Sequence, residues 1–106
     1  MNETELLKIL NSSGIRFAYH HWPEKDAPPL PYGAYLLVDE PTTFYADGEM
    51  YYRIARYQVE LYAKAKSPKA EKQLESALIA AGISFQKSEI YIDSEKLYET
   101  LYEIEV

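Results

Sequence analysis

The side chains that could do chemistry fall in a few places. Asp39, Glu40, Asp47 and Glu49 gather around an Ala46-Asp47-Gly48 turn, and clustered carboxylates can hold a divalent cation. Their spacing matches no EF-hand loop, however, and turns favour Asp for backbone reasons of their own. His20-His21 is the only histidine pair. Adjacent strand residues point to opposite faces, so the two are not expected to share a metal. Asp47, Glu60 and Lys64 invite comparison with metal-dependent nucleases. On one strand Glu60 and Lys64 would share a face but stand about 13 Å apart at the usual rise per residue, too far to serve one metal and its attacking water. No serine lies in a Gly-x-Ser-x-Gly setting, and the four glycines form no phosphate loop. The expectation is a non-enzymatic protein with no catalytic, cofactor-binding or metal-binding residues.

The elements that must position these residues are organised around 39–64. Ala55, Tyr57, Val59 and Leu61 alternate with Arg56, Gln58, Glu60 and Tyr62, the period of a half-buried strand. Residues 3–12 read as a helix, with Asn2 and Glu5 as a capping pair and Ser12-Ser13-Gly14 as its end. Ile15 to His20 alternates as a short strand. Pro23 to Pro31 holds four prolines and is expected as an extended loop inside the domain. Tyr32 to Glu40 reads as a strand interrupted by Pro41-Thr42-Thr43. Ser67 and Pro68 signal a helix start, Ala70, Leu74, Ala77, Leu78 and Ala81 repeat at helical spacing, and Gly82 closes it. Short strands are expected at 83–86 and 89–92, around Lys87-Ser88. Tyr98, Thr100, Tyr102, Ile104 and Val106 form one face of a final strand. The fold expected is α+β: a mainly antiparallel sheet of about four strands with two helices on one face.

A chain of 106 residues suits a single domain, 1–106. No apolar run approaches the ~18 residues of a membrane span, and the N-terminus lacks the pattern of a secretory signal. Without cysteine there is no disulfide or thiolate site. The net charge is −6, and from Glu89 onward six acids face Lys96 alone. Such a surface repels a phosphate backbone, so specific nucleic-acid binding is not expected. Tyrosine is the outlier, at eleven residues against three Phe and one Trp. Its large apolar area with a polar tip suits both strands and protein interfaces. Phe44, Tyr45, Asp47, Tyr51, Tyr52, Tyr98 and Tyr102 are therefore the expected protein-interface residues. The first five form an arm around the turn.

One further pattern carries a resemblance. Pro28-Pro29-Leu30-Pro31-Tyr32 runs into a strand, Tyr45-Ala46-Asp47 is followed by Tyr51-Tyr52, and Tyr57 to Tyr62 leads to a basic turn. The helix carries Glu71 and Leu74-Glu75, and Tyr91 to Tyr98 is followed by Tyr102-Glu103-Ile104. From about residue 28 onward this resembles the tail completion, or tail terminator-like, proteins of long-tailed bacteriophages and prophages of Gram-positive bacteria. Ala63 to Pro68 departs from that pattern, which would place Thr or Asp in the turn. The resemblance implies a virion protein, assembled in the host cytoplasm, that caps the head-proximal end of the tail tube as a ring, expected to be a hexamer. Its partners would be other copies of itself, the tail tube and the head connector. Size and charge alone fit a second reading, a small acidic intracellular adaptor or regulatory protein-binding module.

Overall fold

The structure, a computed structural model, describes residues 2–23, 26–46 and 49–106, with side chains described outside 39–53. The chain runs α1 (Glu3–Ser12), β1 (Arg16–Tyr19), β2 (Tyr32–Ala46), β3 (Glu49–Ala63), α2 (Pro68–Ala80), β4 (Phe85–Ile92) and β5 (Leu97–Glu105). One five-stranded sheet has the order β1-β2-β3-β5-β4.

The helices begin where capping chemistry places them. Asn2 Oδ1 accepts from the Glu5 amide at 2.8 Å, and Ser67 Oγ accepts from the Ala70 amide at 3.3 Å. Each satisfies a donor left open by a first helical turn. Gly14 (φ 89°) follows α1 and Gly82 (φ 74°) follows α2, a left-handed conformation that glycine adopts without a Cβ clash. The inner stripes of the helices supply Leu6 and Leu10, and Ala70, Leu74 and Leu78. These pack with Phe17, Tyr35, Tyr57, Val59, Leu61, Tyr102 and Ile104 in one core. The strand members all fall on one face by register, since Tyr35 and Tyr102 both lie opposite Val59. Both helices thus cover the same face of the sheet.

Three expectations need correction. The sheet is mixed and has five strands, because β1 pairs parallel with β2, Phe17 opposite Gly33. The loop 20–31, about a dozen residues, is long enough to return the chain for a parallel pairing. Pro41 does not end β2; the ladder with β3 instead shifts register between Asp39 and Thr42. A missing amide is tolerated there because β1 reaches only as far as Tyr35 and leaves that stretch of β2 at an edge. Lys87-Ser88 is no break either. β4 is continuous from Phe85 to Ile92 because Lys87 points to the helix side and bonds Glu71 and Glu75 of α2, at 2.6 and 2.9 Å.

Candidate functional site

The β2–β3 hairpin outruns its sheet. β1 pairs with β2 only at Tyr32–Tyr35, and β5 pairs with β3 only at Arg56–Ala63, extended by the reciprocal amide bonds of Ala55 and Val106. Beyond Val38 and Ala55 the two strands pair, among the described residues, only with each other, and the molecule measures 52 × 26 × 22 Å. A two-stranded ribbon is marginal by itself in water, and its outer edges offer rows of amides and carbonyls that another strand can use. Phe44, Tyr45, Tyr51 and Tyr52 have their backbone in this arm, with Phe44 opposite Tyr52. Their side chains, and Asp47 altogether, lie outside the described residues, as do the side chains of Asp39, Glu40 and Glu49.

The other two expected interface tyrosines separate. Tyr98 is half-buried at the end of β5 and stacks at a tilt on Tyr91, centroids 5.3 Å apart, with Tyr91 49% exposed. Tyr102 is a correction, because it is fully buried. Its hydroxyl donates to Glu75 Oε2 at 2.8 Å, Phe85 meets its ring edge-on, and burial followed by the Glu75 bond pushes its pKa well above the ordinary tyrosine value. The alternation of 98–106 already placed Tyr102 with Thr100 and Ile104. That signal assigned it to the core.

The opposite face of the sheet, which no helix covers, carries residues that sequence reasoning had left unassigned. Tyr32, Tyr62, Glu99 and Ile90 form one row across four strands, and Glu60 and Leu101 lie in the next. Tyr32 and Tyr62 stack at 5.7 Å, and Trp22 approaches Tyr32 edge-on while donating Nε1–H to the Gly33 carbonyl at 2.8 Å. Tyr62 donates a short hydrogen bond to Glu60 and lies 3.2 Å from Glu99. One hydroxyl proton cannot serve two carboxylates at once. Burial and the neighbouring Glu60 charge raise the Glu99 carboxyl above its usual range, and burial with the Glu60 bond raises Tyr62. The cluster is a pair of like charges sharing too few protons, with no basic partner among the described residues.

The helix side is electrically quieter. Glu71 is 4% exposed. Burial pushes its carboxyl up, but bonds from Lys87 and Lys66 outweigh this and hold it below the usual range. Lys66 also bonds Glu89 at 2.8 Å.

Two further places could in principle do chemistry. His20 lies past the end of β1 with φ 67°, so the strand alternation fails there and its Nδ1 comes within 3.0 Å of His21 Nδ1. The two rings therefore do meet, contrary to expectation. Among the described residues no group of three or more His, Asp or Glu is placed to hold a metal. A cleft of about 640 Å³ opens at the root of the arm between Val38, Arg56 and Phe85. Its lining includes the hydroxyl residues Ser84 and Tyr57 and the carboxylate residues Glu103 and Glu105, with no described histidine or lysine. Glu60 and Lys64 share no bond in the structure. No described helix is long and apolar enough to cross a membrane.

Comparison with known proteins yields no matching family model and no similar curated protein.

Proposed function

We propose that this chain is a non-enzymatic assembly protein of long-tailed phages, which caps the tail tube as a ring and forms the surface that joins tail to head. The observation that carries the reading is the β2–β3 arm, whose outer half has pairing capacity on both edges and no further strand partner among the described residues. A ring needs two different complementary patches on each subunit, and strand addition is one way to supply them. The arm is one patch, and a neighbour's free strand edge is the other. The proline loop and the tyrosine-rich strands fit the same reading through their resemblance to tail completion proteins. An arm that serves a neighbour is dispensable for the subunit's own core, whose described members lie between the helices and the inner parts of β1–β5.

Replacing residues 42–54 by an Asn-Gly turn separates the two roles. The shortened protein is expected to melt within a few degrees of the full chain, yet to leave purified tail tubes uncapped in negative stain and to fail to rescue phage lacking the gene. Normal capping by the shortened protein would refute the role of the arm. Infectious particles formed without the gene would end the phage reading itself.

A further inference from the structure

Two surfaces among the described residues differ in exposed charge. On the open side of the sheet stand Glu60, Glu99, Glu103 and Glu105, against Arg16 at the β1 edge and Arg56, which lies 4.0 Å from Glu105. On the outer side of α2, Lys69, Lys72, Ser76 and Ile79 form an exposed stripe without a single acid, because Glu71 is buried and Glu75 turns inward to Lys87 and Tyr102. Neither Lys69 nor Lys72 makes an ion pair with any described residue. Each face also exposes an isoleucine, Ile79 at 67% and Ile90 at 59%. Lengths agree as well: Lys69 to Ile79 spans about 15 Å of helix, and Glu99 to Glu103 about 13 Å of strand.

We propose that the open face of the sheet is the docking site for α2 of a second copy of this chain, with Lys69 and Lys72 of one subunit meeting Glu60, Glu99 and Glu103 of the next. The contact is head-to-tail, since the helix stripe and the sheet face are different patches, and a repeat of it closes a ring or extends a filament. It supplies a cation that the crowded Glu60–Glu99 pair lacks among the described residues of its own subunit. Charge complementarity favours this orientation over sheet against sheet, which would set four carboxylates against four. The proposal rests on the assembly reading above and adds a second contact to the arm.

Charge exchange tests it. Lys69→Glu with Lys72→Glu makes both faces acidic; Glu99→Lys with Glu103→Lys makes both basic. In sedimentation velocity at low salt, each double variant alone is expected to associate at least tenfold more weakly than the original chain. An equimolar mixture should recover assembly, because sheet and helix faces are again opposite in charge at every junction. Carbodiimide cross-links between Lys69 or Lys72 and Glu60, Glu99 or Glu103 of another copy are expected in the original chain and lost in each variant alone. Assembly unchanged in either variant, a mixture that stays dissociated, or no such cross-link at millimolar protein overturns the docking site. Variants that still cap tail tubes would refute this contact and leave the assembly reading standing. Charge-dependent association without any binding to tubes would do the reverse.

Discussion

Gly33→Ala tests how tightly β1 is bound to the sheet. Phe17 lies opposite Gly33 in the parallel ladder and is 6% exposed, its ring filling the space that a side chain at 33 would take. A methyl there would stand 2.5 Å from Phe17 Cδ2 and 2.7 Å from the Glu60 carbonyl oxygen. Carbon contacts are ordinarily near 3.5–4.0 Å, so the ring must retreat by an ångström or more, and the backbone oxygen cannot move without disturbing β3. Overpacking of this kind costs about 1–3 kcal/mol, and displacing a core phenylalanine approaches 3–5 kcal/mol. The lower chain entropy of alanine returns about 0.4–1 kcal/mol. A net loss of about 2–3 kcal/mol is expected, or a fall in Tm of roughly 10–20 °C for a domain of this size. Calorimetry measures it directly. Trp22, the only tryptophan, bonds the Gly33 carbonyl, so its emission should shift in the folded variant. In a Phe17→Ala background the same methyl should cost far less, giving a coupling of at least 1 kcal/mol in the double-mutant cycle. A Tm unchanged within about 3 °C, or additive single effects, would refute the packing argument.

Two pH predictions follow from the carboxyls. Glu71 is held below its ordinary value of 4.5, so its contribution is present above that value and is lost as pH falls through the folded one. Glu71→Gln should therefore cost about 2 kcal/mol at pH 7, with the difference shrinking in urea titrations as the pH falls through the folded value. Glu99 behaves oppositely. Its folded value is raised, so its protonated form favours the fold below pH 4.5, and that advantage disappears as pH rises through the folded value. Glu99→Gln should stabilise the monomer at pH 7 by roughly 0.2–1 kcal/mol, the cost of like charges on neighbouring strands. Destabilisation at pH 7 would show that the pair is already compensated.

How far the sequence was legible depended on whether the deciding signal was local. Asn2 with Glu5 and Ser67 with Pro68 announced their helices because a cap is a contact within a few residues. The two-residue alternations of 55–61 and 98–106 separated the two faces of β3 and β5, since a sheet with one covered face leaves that period in the chain, but which face of β5 is buried was misjudged at Tyr102. The parallel β1–β2 pairing left no such mark. It rests on Phe17 against Gly33, two residues whose fit appears only after the loop 20–31 has returned the chain. Lys87 was misleading for the same reason: a lysine beside a serine looks like a turn until Glu71 and Glu75 arrive from α2. Of the candidate surface, the arm was visible as a turn between aromatic strands. The Glu60–Tyr62–Glu99 cluster needed a register between strands 37 residues apart, and single-chain spacing cannot supply that.

The continuity of β3 has a mechanical side. One strand runs from the arm into the centre of the sheet, where β2 flanks it on one side and β5 on the other. A pull on the arm along its axis therefore loads the β3–β5 ladder and the shorter β1–β2 ladder in shear, with many hydrogen bonds strained together, and not one pair at a time as in peeling. Such a joint yields slowly under tension, because its failure is governed by the unfolding rate. A subunit gripped by its arm would pass a load to its neighbour through its most strongly paired strand, while the helices on the covered face bear little of the strain.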